Sequence, residues 1–182
     1  ASDVVMVARG DLGVEIPAEY VPLVQKEIIR RCNKAGKPVI TATQMLESMV
    51  NSYRATRAEA SDIANAIFDG TDAIMLSGES ASGLFPIEAA KTMSKIAQEA
   101  EEYLDYDHLT SRLREPSLND YASAISYSAC RTANMLHAKA IVAATKSGAT
   151  AKILSRYRVK APIIAITPYD QVRRTLNLNF GI

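Results

Sequence analysis

The chain has 182 residues, which is enough for one ordinary domain or two small ones. Its 48% hydrophobic and 23% charged residues are typical of a globular protein and argue against disorder. No apolar run approaches the roughly 20 residues that span a bilayer, so no membrane partner is expected. A nucleic-acid partner is not expected either. Only two cysteines occur, Cys32 and Cys130, which argues against a disulfide framework and favours a cytoplasmic location. No signal peptide is expected, because the sequence opens within a predicted apolar strand.

Charge divides the chain into two parts. Residues 1–106 carry 10 Lys and Arg against 16 Asp and Glu, whereas residues 107–182 carry 11 against 4. An acidic part joined to a basic part indicates two modules with different ligands, the first suited to a cation and the second to an anion. Two solvated faces that merely differ in charge are the alternative.

The first part repeats a pattern of strand, loop and helix. Short apolar runs predict buried strands at residues 3–8, 38–42 and 73–76. Polar or glycine-rich loops are expected after them, at residues 9–13, 43–55 and 77–80. Helices are predicted over residues 21–36, 56–70 and 86–104. Thr56 and Glu59 form a capping-box pattern at the start of the second helix, and Gly36 supplies a stop for the first.

A second α/β segment is predicted after residues 105–118, which show no apolar period and are interpreted as a connection. Its elements are helices near residues 119–137, 149–158 and 170–177 and strands at residues 140–144 and 162–166. Strands that are apolar throughout and alternate with amphipathic helices indicate parallel sheets covered by helices, with ligands at the carboxyl ends of the strands.

Asp11 is the most informative acid in the sequence. It follows a predicted strand in a stretch with Gly10 and Gly13. Glycines allow backbone amides to approach an anion closely, and a carboxylate supplies a hard oxygen ligand for a divalent cation. The alternative is that Asp11 caps a turn, as aspartates in loops commonly do.

The ends of the next two strands carry further polar groups. Thr43 leaves its strand at the edge expected for Asp11, where a hydroxyl can donate to a carboxylate or phosphate. Ser77 and Glu79 place a hydroxyl beside a carboxylate, an arrangement that can orient water or relay a proton. A hydrogen-bonding turn is the alternative for this pair. Core packing is predicted for the apolar residues near Thr43, which are Met45, Leu46 and Met49.

A candidate phosphate site lies in the second segment. Between a strand and a helix start, residues 145–150 combine hydroxyls, an ammonium group and a glycine, which together can surround a phosphate. The alternative is an ordinary capped helix start. The candidate ligands are Thr145, Lys146, Ser147, Gly148 and Thr150.

Taken in order, these runs resemble the pyruvate kinase family. The runs that carry the resemblance are Met6–Glu15, Gly36–Met49, Asp72–Glu79, Ser155–Arg158 and Ala161–Ala165. They keep the family's order and spacing over essentially the whole chain. Ala55 stands where the family usually has proline, and Phe85 stands where tyrosine is usual.

The resemblance implies an α/β fold in three parts. Residues 1–106 would be the last three strand–helix units of a TIM (β/α)8 barrel, which is partial because three units cannot close it. Residues 107–118 would be a linker. Residues 119–182 would open an α/β three-layer regulatory domain. By the same resemblance, the whole enzyme is expected to be a homo-oligomer, specifically a homotetramer.

The resemblance also implies an activity: phosphoryl transfer between phosphoenolpyruvate and ADP, giving pyruvate and ATP, with Mg²⁺ or Mn²⁺ and K⁺. Asp11 would bind the divalent metal. Residues 145–150 would bind a phosphorylated allosteric effector. Substrate contacts are implied for Arg9, Gly10, Asp11 and Thr43, and catalytic roles for Thr43, Ser77 and Glu79.

The family's second carboxylate ligand, its phosphoryl-neutralising lysine and its K⁺ ligands are expected before residue 1. These 182 residues alone are therefore expected to be inactive. Two alternatives remain at this stage. One is a metal-dependent barrel lyase of oxo-acids, and the other is a non-catalytic phosphate-binding module.

Overall fold

A computed structural model describes residues 2–112 and 120–182. Contacts within the chain divide it into two compact units, Ala1–Leu104 and Asp105–Ile182. Both units are α/β, and the strands of each form a parallel sheet. No helix in the described ranges is both long enough and apolar enough to cross a membrane.

The first unit alternates strands with helices. Its strands are β1 (Val5–Ala8), β2 (Val39–Ala42) and β3 (Ala73–Met75). Its α-helices are α1 (Arg9–Glu15), α2 (Val21–Ala35), α3 (Arg57–Asp69), α4 (Gly78–Ala81) and α5 (Pro86–Glu102). Two short 3-10 helices, Ala18–Tyr20 and Glu47–Val50, complete the unit.

Local signals in the sequence set the ends of the two central helices of this unit. The Thr56 hydroxyl accepts the amide of Glu59, and the Glu59 carboxylate accepts the amide of Thr56, so the predicted capping box is present at the start of α3. Gly36 ends α2 and Gly70 ends α3, both in the left-handed conformation that glycine adopts without a steric penalty.

The largest core of the first unit lies between the segment after β2 and the helices α3 and α5. Met45, Leu46 and Met49 are fully buried there, as the sequence predicted. They pack with Ile63 of α3 and Met93 of α5, among others. This burial anchors the segment whose first residues leave the end of β2.

The second unit is built around two strands. These are β4 (Ile141–Ala144) and β5 (Ile163–Ile166), and they pair in parallel. The helices of the unit are α6 (Tyr106–Arg112), α7 (Tyr121–Met135), α8 (Ala149–Arg156) and α9 (Asp170–Leu176). The fully buried Tyr157 lies at the centre of its core, where its hydroxyl donates to the backbone carbonyl of Ser123 at 3.1 Å.

Three stretches interpreted as loops or connections from the sequence contain α-helices. Residues 9–13 belong to α1, because neither Gly10 nor Gly13 prevents a helical turn and Asp11 favours the positive end of the helix dipole. Part of the stretch 77–80 belongs to α4. Part of the predicted linker 107–118 belongs to α6, and its residues 113–118 lie outside the described ranges.

Helix α6 was missed because a local cap and a tertiary contact, and not an apolar period, stabilise it. The Asp105 carboxylate accepts the amide of His108 at 2.8 Å and so caps the helix start. The Thr110 hydroxyl, fully buried, is 3.0 Å from the carbonyl oxygen of Tyr157. Neither contact leaves a periodic signal in the sequence.

Candidate functional site

The candidate site of the first unit lies at the carboxyl edge of its sheet. The parallel register pairs Ala8 with Ala42 and Ala42 with Met75, so the three strands end at the same level. The segments that follow these strands therefore leave the sheet side by side. This is the edge at which parallel α/β folds bind their ligands.

Two of the predicted site residues are in direct contact. The backbone amide of Gly10 donates a 2.8 Å hydrogen bond to the hydroxyl oxygen of Thr43. The Thr43 hydroxyl in turn donates to the carbonyl of Ala42 at 2.7 Å. The start of α1 and the end of β2 are thus joined through one hydroxyl group at the edge of the sheet.

The backbone after β2 is strained where it forms this contact. Thr43 has φ of 67° and Gln44 has φ of 51°, both in the left-handed region. A β-branched residue such as threonine is a genuine outlier there. Each such residue costs about 1–3 kcal/mol, and strain of this kind persists only when surrounding contacts hold it.

Arg9 is buried, with 8% of its surface exposed, and its guanidinium contacts the strained segment. Nη2 donates to the carbonyl oxygens of Thr43 at 2.7 Å and of Gln44 at 3.0 Å. Nε lies 3.2 Å from the carbonyl oxygen of Thr43, and Nη1 forms an ion pair with Asp62 of α3. The predicted substrate ligand Arg9 therefore makes its contacts within the protein.

Asp11 differs from Arg9 because its side chain is exposed. It lies in the first turn of α1 and forms no ion pair or hydrogen bond with the rest of the described chain. Its oxygens are open to a cation, so the residue fits the part of a single metal ligand. In the described ranges no group of three or more His, Cys, Asp or Glu side chains is placed to hold a metal by itself.

Glu79 is almost fully buried, with 1% of its surface exposed, and both of its carboxylate oxygens accept backbone amides. Oε1 accepts from Leu46 at 3.0 Å, and Oε2 accepts from Ser77 at 2.8 Å. The carboxylate thus ties the segment after β2 to the end of β3. The side chain of Ser77 is half-buried, and its hydroxyl has no hydrogen-bond partner in the described ranges.

Glu59 holds the far end of the same segment. Beyond capping α3, its carboxylate accepts the amide of Ser48 at 2.7 Å and the hydroxyl of Ser48 at 2.6 Å. Partial burial raises the pKa of Glu59, but the hydrogen bonds from Ser48 and Thr56 outweigh burial and lower the pKa overall. An ionised Glu59 therefore stabilises this part of the site.

The second unit carries the predicted phosphate site between β4 and α8. The buried Thr145 accepts the amide of Gly148 on its hydroxyl at 2.9 Å, and the Ser147 hydroxyl accepts the amide of Ala149 at 3.4 Å. Gly148 has φ of 83°, and a Cβ there would lie 3.2 Å from Val172 and Leu176 of α9. The side chains of Lys146 and Thr150 are exposed.

Sequence reasoning missed three contributors to the first site. Asp62 and Glu59 lie on α3, and they reach the segment after β2 only through the tertiary fold. Gly83 is required because a Cβ there would lie 2.6 Å from the carbonyl oxygen of Glu79. The charge of Asp62 on an amphipathic helix is equally typical of a solvated face, and the capping-box pattern accounts for Glu59 without a contact to Ser48.

Parallel sheets with polar segments at the carboxyl ends of their strands are typical of α/β proteins that bind ligands at this edge. Comparison with known families is more specific. Residues 1–90 match the family described as pyruvate kinase, barrel domain, and residues 123–182 match pyruvate kinase, alpha/beta domain. The chain belongs to the pyruvate kinase family.

Similar proteins agree along the whole chain. The pyruvate kinase of Clostridium perfringens is 68% identical over 100% of this chain and 39% of its own length, and that of Clostridium acetobutylicum is 58% identical over 100% and 38%. The crystal structure of a pyruvate kinase from Cryptosporidium parvum matches with a TM-score of 0.96 and 48% identity, covering 99% of this chain and 37% of that one. The chain thus spans about two fifths of the length of these relatives.

Proposed function

We propose that the full-length protein containing these residues transfers a phosphoryl group from phosphoenolpyruvate to ADP, giving pyruvate and ATP. Family membership supports the reaction, and one contact supports the site. That contact is the hydrogen bond from the Gly10 amide to the Thr43 hydroxyl, which joins the predicted substrate and proton-transfer residues. Phosphoryl transfer relies on positioning and charge neutralisation more than on a protein nucleophile, which suits a site built from amides and hydroxyls.

At the start of α1 we assign binding roles. The amides of Gly10 and Asp11 would hold the carboxylate of the substrate, with the Gly10 amide exchanging its bond to Thr43 for one to the ligand. The exposed Asp11 carboxylate would be one ligand of Mg²⁺ or Mn²⁺. When bound, this cation would neutralise charge on the transferring group. K⁺ is part of the same proposal.

At the ends of β2 and β3 we assign proton-transfer roles. The Thr43 hydroxyl would lie near the carbon that is protonated when the enol becomes a ketone. The unpaired Ser77 hydroxyl would belong to the relay that supplies this proton. Glu79 would support the relay from its buried position, by fixing the backbone of Ser77 and Leu46.

The same proposal covers the finer architecture. The sheet β1–β2–β3 with its helices would be the last three units of a (β/α)8 barrel, and the second unit would open a three-layer regulatory domain. The full-length protein would be a cytoplasmic homotetramer. The 182 residues alone would lack turnover, because Asp11 is the one metal ligand that we assign and the described ranges contain no group of three or more His, Cys, Asp or Glu side chains placed to hold a metal.

The test is kinetic and uses the full-length protein. Pyruvate formation is measured with varied Mg²⁺ for the wild type, Asp11→Asn and the control Glu19→Gln, an exposed acid outside the site. We expect Asp11→Asn to lower kcat/KM by at least about 100-fold and to raise the Mg²⁺ requirement, with little change in the control. Near-normal kinetics for Asp11→Asn across the titration would remove Asp11 from the metal site.

A second function, for the second unit, is supported by the segment 145–150. Gly148 in the left-handed conformation turns the chain into α8, and the exposed hydroxyl and ammonium groups of Ser147, Thr150 and Lys146 surround the helix start. We propose that this segment binds a phosphorylated effector of the full-length enzyme.

A further inference from the structure

Arg9 is a buried cation, and Nε, Nη1 and Nη2 of its guanidinium each contact an oxygen of the protein. Its Nη1 is ion-paired with Asp62, and its Nε and Nη2 face main-chain carbonyls of the segment after β2. A buried guanidinium needs such partners, because an uncompensated charge is costly in the interior. These contacts account for the burial of Arg9.

The carbonyls that Arg9 binds belong to the two residues with positive φ. Nη2 lies 2.7 Å from the oxygen of Thr43 and 3.0 Å from the oxygen of Gln44. Strained conformations persist where surrounding contacts over-determine them, and two N–H groups of one rigid, planar fork are suited to fix successive carbonyls. The hydrogen bonds from Arg9 therefore act on the same two residues that have the strained backbone.

The direction of the Thr43 side chain follows from this backbone. With the backbone held as it is, the Thr43 hydroxyl lies 2.8 Å from the amide of Gly10. If Thr43 relaxed to an extended conformation, its hydroxyl would leave this position. A displacement of about 1 Å in a reacting group is enough to lower a rate about 100-fold.

We propose that Arg9 is a positioning residue that, together with Asp62, holds the Thr43 hydroxyl in place for the reaction. This inference rests on the proposed function, in which the Thr43 hydroxyl takes part in proton transfer. Arg9 contributes through main-chain carbonyls and does not touch the substrate. Asp62 contributes one step further out, because its ion pair fixes the orientation of the guanidinium.

The first experiment compares Arg9→Lys, Asp62→Asn and the control Arg31→Lys in the full-length protein. Lysine keeps the charge of Arg9 but lacks the fork that spans two carbonyls. Arg31 is an exposed arginine on α2, paired with Glu27. We expect Arg9→Lys to lower kcat about 100-fold with less than a threefold change in KM for phosphoenolpyruvate, and Asp62→Asn to give a smaller loss of the same kind.

The second experiment is a rescue. Gln44→Gly allows a positive φ at this position without the hydrogen bonds from Arg9, and it keeps the Thr43 side chain. Added to Arg9→Lys, it is expected to regain about tenfold in kcat, the equivalent of relieving one strained residue. Glycine at a positive φ can also raise stability, so the melting midpoint of each variant is measured beside kcat. A regained kcat without a matching rise in melting midpoint supports the positioning role, and a kcat that only follows the midpoint contradicts it.

The third experiment is independent of activity. Amide hydrogen exchange is followed in a peptide spanning residues 43–49 and, for reference, in one spanning β4. Arg9→Lys should accelerate exchange in the first peptide and leave the second unchanged. If the wild type formed no pyruvate, the proposed function would fail, and this measurement would still decide whether Arg9 holds the segment.

Two results would overturn the inference. One is a rise in KM for phosphoenolpyruvate at constant kcat in Arg9→Lys, combined with unchanged kcat and KM in Asp62→Asn. This result would make Arg9 a substrate ligand. The other is unchanged exchange over residues 43–49 in Arg9→Lys. A kcat loss shared by both variants, together with faster exchange and rescue by Gln44→Gly, would establish it.

Discussion

The carboxylate of Glu79 accepts the amide of Leu46 at 3.0 Å, across 33 positions of sequence. Its second oxygen accepts the amide of Ser77 at 2.8 Å. Through one buried side chain, the segment after β2 is thereby joined to the end of β3. With Arg9 at the start of this segment and Glu59 near its end, three charged side chains hold the backbone from Thr43 to Ser48.

Replacement of Glu79 by glutamine should lower stability. Glutamine keeps the shape but presents an N–H group to one of the two backbone amides, which leaves a buried donor without an acceptor. Hydrogen bonds to charged groups contribute about 1.5–3 kcal/mol, and we expect a loss in this range for the unit that contains Glu79. Thermal unfolding of full-length Glu79→Gln is compared with Glu99→Gln, an exposed control on α5. Equal melting midpoints for the two variants would show that the buried carboxylate is not needed.

Because of Glu59, the stability of the folded protein should fall as the pH is lowered into the acid range. Its pKa is lowered in the folded protein from an ordinary value of 4.5, because the hydrogen bonds from Ser48 and Thr56 outweigh the opposing effect of burial. A lowered pKa means that the stabilisation is fully present above pH 4.5 and is lost as pH falls through the folded pKa.

The measurement compares the wild type with Glu59→Gln from pH 7 to pH 3. We expect the difference in melting midpoint to be largest near pH 7 and to shrink once pH falls below about 4.5. Glu99→Gln corrects for the loss of one exposed carboxylate. A difference that stays constant over the whole range would contradict the assignment.

Much of the first unit could be predicted from the sequence because its signals are local. The capping box of Thr56 and Glu59, the glycine stop at Gly36 and the apolar strands are each set by residues close together in the chain. The shared edge of the strands follows from their parallel pairing, which placed Gly10 beside Thr43.

The remaining features depend on contacts that span the fold. Arg9 next to a strand end suggested a ligand contact, whereas its burial against the carbonyls of Thr43 and Gln44 depends on α3 and Asp62. The positive φ of Thr43 is unfavourable for its residue type, so local propensity argues against it. Where tertiary contacts such as those of Arg9 override local backbone preference, the sequence contains no periodic signal for the resulting conformation.

Gly83 should not tolerate a side chain. A Cβ at this position would lie 2.6 Å from the carbonyl oxygen of Glu79 and 3.2 Å from the Cα of Val50, and both are backbone atoms that cannot easily move. We expect Gly83→Ala to cost about 1–3 kcal/mol, the usual range for overpacking. In the control Gly13→Ala, the new Cβ would meet nothing within 4 Å and would lie in helix α1. An equal effect of the two substitutions on the melting midpoint of the full-length protein would refute the steric argument.

The segment 145–150 should couple a phosphorylated effector to the active site of the full-length enzyme. Its exposed groups are the ammonium of Lys146 and the hydroxyls of Ser147 and Thr150, in the part of the chain with excess positive charge. Cations and hydroxyls at a helix start are suited to a phosphate, and allostery requires the effector to favour one of two enzyme states.

The test must therefore measure coupling as well as binding. The half-saturating phosphoenolpyruvate concentration is recorded while a sugar bisphosphate or a nucleoside monophosphate is titrated. The wild type is compared with the double variant Lys146→Ala, Ser147→Ala and with Lys160→Ala, an exposed lysine outside the segment. We expect the wild type and Lys160→Ala to respond alike, with a shift of about 5- to 150-fold, and the double variant to lose at least tenfold in effector affinity.

An equal response in all three proteins would place the effector elsewhere. A wild type that responds to neither phosphorylated compound would leave the segment as a capped helix start, because the bonds from Gly148 to Thr145 and from Ala149 to Ser147 suffice for that role.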